Sequence, residues 1–576
     1  MSIAYPSNNA TPSRDGAGTP PAADAPIKPF RAPVAIKKSV SFDPAVIRAI
    51  YDDNKELNQV LLYGLLAVCI IAGSIIAKTG FTYATLALMF IAIFGYALVD
   101  SWRAIFLFII YLSLEGMYKY TSNFSPAVYI IAPLLSIIIF IGWRIRSRGE
   151  AEQLQSKTVT PVKPSLFQSG RDDSLALPKI APWVFALIAL SLLQTANPDS
   201  PGFINSLNGG VVWYIGPMSF FFVTFFALKH RKEAMGFVYT MLVTGVLVSG
   251  YAFLQFTLGE AWVDSHVPGM ANMAKFSYGL DGGGGVYQEG AYRPASTAAI
   301  AGGYVVATCM AMLAALTVAT MPQMVMWRRA LALLATTVLV MGLAVSGVRQ
   351  VVLNLCVGIP VLLALSVRRF EDAIRIYFMM FLIGGILGGS FMTADNAAEG
   401  KLSKRFGSVF TGNPLDNYAQ NRGGSLEYMP KAIATRPLGI GIRRGTRGNA
   451  GGILGGDLLI FNNRETQWNA VQADLGIFGI ICLAGYMITA LVQGLHICRT
   501  LPDPNLRSIA ILMYVVILFN VIASFGSTVL QSNYMFWMVS GILFALPRIA
   551  VSERKLLMES LSKNDSGSDS PGLVRA

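Results

Sequence analysis

Charge is scarce in this chain: 13% of its 576 residues are Asp, Glu, Lys or Arg, against 54% hydrophobic. A soluble fold cannot hide that much apolar surface in one core, which excludes the ordinary globular class. Histidine is scarcer still. His230, His266 and His496 are scattered, two of them beside basic clusters, so a zinc centre is not expected. The five cysteines, Cys69, Cys309, Cys356, Cys482 and Cys498, lie within or at the end of apolar runs, without the spacing of a metal site or a disulfide framework. No Asp-x-Asp pair is present to hold a metal-bound nucleotide sugar. The glycine run Gly282 to Gly285 lacks the preceding strand and the GKT-like ending of a phosphate cradle.

What is abundant is long apolar runs. Fourteen stretches of near-spanning length, from about 60–77 to 533–547, predict an all-α polytopic membrane protein of about 14 transmembrane helices. Residues 1–58 are rich in Pro, Ala, Ser and charge without an early apolar core, and read as a disordered cytoplasmic tail. The first part of the bundle then covers 59–392, including a cytoplasmic linker at 144–180 and an external loop at 257–297. A large polar loop follows at 393–467, the last part of the bundle at 468–548, and a second cytoplasmic tail at 549–576. Short basic clusters at Arg103, Arg144 to Arg148, Lys229 to Lys232, Arg328 and Arg329, Arg368 and Arg369, Arg499 and Arg548 set the orientation. All fall inside if both termini are cytoplasmic. The 393–467 loop is then external, with ten basic and six acidic residues, a balance that suits an anionic lipid-borne ligand or an ordinary solvated loop.

Within this frame a few residues are placed for chemistry. Arg349, in Ser346-Gly347-Val348-Arg349-Gln350, lies about one hydrocarbon thickness, roughly 30 Å of helix, from basic ends on either side. It therefore belongs at the outer boundary, where a guanidinium either pairs with a phosphate or snorkels to the interface. Glu115 stands roughly 18 Å of helix beyond Arg103, below that boundary. It either lines a cleft or pairs with Lys119, four residues on. Arg293 directly precedes a span and can join the helix terminus in holding an anion. In the large loop, Arg422-Gly423-Gly424 precedes a helical segment and Arg436-Pro437-Leu438-Gly439-Ile440-Gly441 forms a tight glycine turn. Glu465 and Asp474 are nine residues apart, so on a continuous helix they point in different directions and serve different tasks.

These pieces, in this order, resemble the O-antigen ligase and O-antigen or exopolysaccharide polymerase family of bacterial membrane glycosyltransferases. Leu114-Glu115-Gly116 with Lys119 is similar to its EG...RK segment, and Gln194 to Pro198 to its Q.fNP segment. Gln255-Phe256 with Leu258-Gly259 is similar to GxxQxxLG, Arg293 to Thr297 to R..STF, and Ser346 to Arg349 to S.SR. Arg422, the Pro437 to Gly441 turn and Asp474 to Gly479 complete the loop signature. Ligase-type members carry a His-Asn pair nine residues before the acidic residue of the E.GxxG segment, whereas here Glu465 and Thr466 occupy that place. The departure leans towards a polymerase.

The resemblance implies a C-type membrane glycosyltransferase fold in a bacterial inner membrane, acting without cofactor or metal. It implies transfer of oligosaccharide from undecaprenyl diphosphate to an acceptor glycan within the lipid bilayer, alongside other polysaccharide assembly and chain-length proteins. Nucleic acid is not an expected partner. Arg349, Arg293 and Arg422 would clamp the diphosphate and Glu465 would act as general base, with Glu115 and Asp474 lining the cleft. Ligation to lipid A core, a lipid-linked glycan flippase and a non-enzymatic assembly component are the competing readings. A flippase would spread charges through its spans, and most spans here have none.

Overall fold

The computed structural model describes residues 53–122, 125–157, 177–200, 202–267, 269–270, 287–288, 291–298, 302–367, 370–410, 424–442 and 466–567. The chain is helical throughout Asn54–Val99, yet this stretch is a hairpin. Tyr63 interacts with the Tyr96 hydroxyl, which a straight helix would hold roughly 50 Å away. A Cβ added to Gly73 would stand 2.3 Å from the Phe81 ring, a contact possible only if the chain turns back. The two arms are α1, Asn54–Ile76, and α2, Gly80–Val99.

Next come α3, Ser101–Thr121; α4, Pro126–Lys157; α5, Ala181–Leu193; and α6, Phe203–Gly210. A π-helical turn, Val211–Ile215, leads into α7, Gly216–Ala227, followed by α8, Arg231–Leu258, and α9, Glu260–His266. A two-residue pairing of β1, Tyr287–Gln288, with β2, Ala291–Tyr292, precedes α10, Val305–Thr320. Then follow α11, Met326–Val345; α12, Gln350–Ser366; α13, Phe370–Ala397; α14, Lys401–Phe410; α15, Gly424–Glu427; and α16, Met429–Thr435. The chain closes with α17, Gln467–Thr500; α18, Pro504–Ala523; and α19, Tyr534–Gly567.

Among the described residues nine helical stretches are long and apolar enough to cross a membrane, which makes this an all-α polytopic membrane protein. Each of the fourteen expected runs overlaps a helix, the one at 298–320 from Val305 on. Those at α5, α10 and α12 are shorter apolar helices of 10–17 residues, and the runs at α3 and α13 are helical without joining the nine. Several boundaries differ from the expected ones. Helix α1 begins at Asn54, inside the stretch read as tail, because Asp53 is fixed by Arg328 at 2.7 Å and by the Tyr239 hydroxyl at 2.6 Å. Helix α13 runs past 392 to Ala397, and α19 continues past 548 to Gly567.

The bundle has a buried centre and a lipid-facing margin. In α18, 72% of the spanning window is buried, whereas the arms α1 and α2 reach 33% and 28% and present Leu62, Ile76, Leu88 and Ile91 outward. Apolar exposure on that scale is what a bilayer solvates. The helices alternate in direction and so define two ends. One collects the starts of α1, α3, α8, α11 and α18 with Arg103, Arg146, Arg231, Arg328, Arg507 and Arg548, and is termed the arginine end. The other carries α9, the β1–β2 pairing and α14 to α16, and is termed the loop end.

Candidate functional site

At the loop end the segments singled out in the sequence are fastened to one another. Arg293 donates from Nε to the Ser346 carbonyl at 3.0 Å, which joins the approach to α10 to the α11–α12 turn. Gly302, at φ +69°, makes room for this contact: a Cβ there would lie 2.8 Å from Arg293 Nη2 and 2.8 Å from Val348 Cγ2. Three residues beyond Ser346, Arg349 stands exposed as the N-cap residue of α12. Arg293 and Arg349 are thus brought to one turn.

The backbone behind Arg293 is held unusually tightly. Ser296 adopts a left-handed φ of 55°, which a non-glycine residue enters at a cost of about 1 kcal/mol. Gln255 at the end of α8 offsets this, accepting from Ser296 N–H at 2.8 Å and donating to its carbonyl at 3.2 Å. Ser296 Oγ donates to the Val248 carbonyl at 2.6 Å, and Met117 N–H in α3 donates to the Thr297 carbonyl at 3.0 Å. Four distant pieces of chain therefore meet here.

A second assembly surrounds α17. Its helical path is broken at Gly476, with φ 68° and ψ −161°, and the Arg436–Ile442 turn plugs the break. Ile440 N–H donates to the Ala473 carbonyl at 2.7 Å, and Ile477 N–H to the Pro437 carbonyl at 2.8 Å. A Cβ on Gly476 would lie 2.3 Å from the Pro437 oxygen, so only glycine allows the approach. From outside the turn, Gln194 donates to the Leu438 carbonyl at 2.7 Å and Arg436 pairs with Asp199 at 2.7 Å.

Asp474, two residues before the break, is 1% exposed. It does not line an open cleft: its Oδ2 accepts from the Tyr214 hydroxyl at 2.8 Å and from Gln531 Nε2 at 3.1 Å, and Gln531 also donates to Tyr214. Tyr214 belongs to the π-helical turn, an irregularity common at functional sites. Glu115 pairs with Lys119 at 2.9 Å, and the Lys119 ammonium lies 4.5 Å from the Tyr129 ring centroid.

The short connection between α18 and α19, residues 524–533, links the two assemblies. Gln350, next to Arg349, donates to the Ala523 carbonyl at 3.4 Å and accepts from Ser527 Oγ at 3.2 Å. Gln467 N–H donates to the Ser524 carbonyl at 2.9 Å, and its Oε1 accepts from Leu530 N–H at 2.9 Å. Ser532 N–H donates to the Trp213 carbonyl at 3.1 Å, and Gln531 reaches Asp474. The turn that presents Arg349 and the start of α17 are thereby tied to one ten-residue segment.

Glu465, Arg422 and the Gly282 to Gly285 run lie outside the described residues. The residue after Glu465, Thr466, is buried, and its Oγ1 caps α17 by accepting from Asn469 N–H at 3.2 Å. Helix α17 starts at Gln467, carries Asp474 in its first turns and is interrupted at Gly476. Sequence reading missed Tyr214, Gln350, Ser527 and Gln531. Their only signal was polarity at the ends of apolar runs, with contacts as far as 317 residues apart.

Among the described residues no three His, Cys, Asp or Glu side chains converge in a group able to hold a metal ion. All five cysteines are free thiols. No family model matches the chain, and no curated protein matches it.

Proposed function

We propose that this protein is a membrane glycosyltransferase of the polysaccharide-polymerase type, moving lipid-diphosphate-linked oligosaccharide onto a growing glycan at the loop end of the bundle. The observation that carries this reading is the connection at 524–533, which ties the Arg293 and Arg349 turn to the start of α17, immediately after Glu465. In this reading an acceptor hydroxyl attacks the anomeric carbon of the donor sugar, and its proton passes to Glu465. The bond from that carbon to the diphosphate oxygen breaks, and undecaprenyl diphosphate leaves. Arg349, Arg293 and Arg422 take up the charge that develops on the leaving group. Asp474 does not face the substrate but holds the frame, through Tyr214 and Gln531.

The fourteen-crossing topology with both termini cytoplasmic belongs to the same proposal. Its support is the overlap of all fourteen apolar runs with helices and the gathering of Arg103, Arg146, Arg231, Arg328 and Arg548 at one end, the pattern of a cytoplasmic face. The loop end would then face the periplasm of a bacterial inner membrane. A metal has no assigned step, because the arginines supply the positive charge.

The test is a gel of surface glycan from cells making wild type, Glu465→Gln, Arg349→Ala or Arg499→Ala at equal level. The first two variants are expected to lower transfer by roughly 100-fold or more and accumulate a single lipid-linked repeat, with Arg499→Ala making long polymer. Long polymer that persists but stays unattached to lipid A core would assign the chain to ligation instead. Wild-type behaviour of both site variants would remove the catalytic assignment.

A further inference from the structure

The arginine end contains a cavity of ≈ 380 Å³ between the starts of α1, α3 and α8 and the end of α4. Its size is within the range of small-ligand pockets. Lys55, Arg103, Arg146, Lys229 and Lys232 line it, together with Glu56, Asp100 and Glu233.

Two of the three carboxylates are committed to the protein itself. Asp100 pairs with Arg103 at 3.2 Å and accepts from Trp102 N–H at 3.1 Å. Glu233 accepts from the backbone N–H groups of Lys229 at 2.7 Å and His230 at 3.0 Å. The cavity therefore keeps an excess of positive charge. Glu56 differs from the other two acids. Its Oε2 is buried without a hydrogen-bond partner, a position that requires a donor.

The surroundings indicate where such a ligand comes from. Arg146 donates to the Val99 carbonyl at 2.8 Å beside the crossing of α4 and α2, where a Cβ on Gly142 would touch the Ala97 oxygen. Leu98, Val99, Ile141 and Ile145 flank this crossing and are exposed apolar side chains. A headgroup in the cavity would thus have an acyl-binding surface next to it.

We infer that this cavity binds the headgroup of a membrane phospholipid that carries a hydrogen-bond donor beyond its phosphate, such as phosphatidylglycerol or phosphatidylethanolamine. The lysines and Arg146 take the phosphate, and Glu56 accepts from the hydroxyl or ammonium. Basic pockets between spanning helices commonly recognise lipid headgroups in this way. The site lies at the opposite end from the proposed transfer chemistry and stands independently of it.

The test is native mass spectrometry of the full-length protein, equilibrated in micelles with equal amounts of phosphatidylcholine, phosphatidylglycerol and phosphatidylethanolamine. Wild type is expected to retain one donor-bearing lipid in preference to phosphatidylcholine. Lys55→Gln and Lys232→Gln should each weaken retention roughly fivefold. Glu56→Met should abolish the preference over phosphatidylcholine while leaving phosphate-dependent retention. Lys55 is exposed, so its variant tests the site without a threat to folding. Equal retention of all three lipids by wild type, or unchanged retention by the lysine variants, overturns the inference. If inorganic phosphate stabilises the delipidated protein as strongly as phosphatidylglycerol and no lipid is retained, the ligand is a soluble phosphate and the lipid assignment falls. Loss of retention with normal glycan in cells leaves the proposed transferase function intact.

Discussion

At the arginine end, helices are fastened by guanidinium groups that reach the final carbonyls of their neighbours. Arg146 donates to Val99, Arg329 to Met321 and Pro322, Arg507 to Leu365, and Arg548 to Leu228, at 2.7–2.9 Å. At the loop end Arg293 does the same for the Ser346 carbonyl, but most of the task falls to amides. Gln194 holds Leu438, Gln255 holds Ser296, Gln350 holds Ala523, Gln467 holds Leu530, and Gln472 holds Arg436. A cation at a helix C-terminus also complements the helix dipole, whereas an amide adds no charge. The lesson is electrostatic. Neutral fasteners leave the potential at the loop end to Arg293, Arg349 and the polar loop, while the other end is cationic by construction.

The contrast predicts unequal sensitivity to substitution. Removing a fastening charge at the arginine end should have the largest effect. Arg231 pairs with Asp503 at 2.8 Å and Glu553 at 3.0 Å, joining α8, α18 and α19, so Arg231→Ala leaves two half-buried or buried carboxylates without their cation. A loss of about 3–5 kcal/mol is expected, read as thermal unfolding of the purified protein in detergent. At the loop end, Gly476→Ala is expected to cost about 2–3 kcal/mol, from backbone strain and the close approach of Pro437, and to make the 436–442 turn sensitive to protease. Uniform protection of that turn in the variant would show that the glycine is not what seats it. The smallest effect belongs to Glu115→Gln, which loses a partly exposed pair within one helix and should cost about 1 kcal/mol at most. If it proved as damaging as Arg231→Ala, the distinction between local and bundle-joining ion pairs would fail.

The helices were legible because apolar runs of spanning length have few other uses, and even the reversal between α1 and α2 coincides with the polar break at Lys78 and Thr79. The meeting of Arg293 with the Ser346 turn was foreseeable only as a shared order of short motifs. What could not be read was the break in α17. Apart from two glycines, Gln467 to Leu483 reads as one helix, and Gly476 becomes a kink because a turn 34 to 40 residues earlier supplies the missing hydrogen bonds. The pairing of Asp474 with Tyr214 and Gln531 was hidden for the same reason. It joins positions 260 and 57 residues away, and no local pattern marks either partner.

The plugged break also bears on biosynthesis. Bare backbone groups at Gly476 would be costly in hydrocarbon, and those at Ala473 and Ile477 are satisfied by Ile440 and Pro437. The turn is synthesised before α17, so the partner for the kink already exists when that helix emerges. A circular permutation that delivered α17 first would present the break at Gly476 before the turn that satisfies the backbone groups beside it.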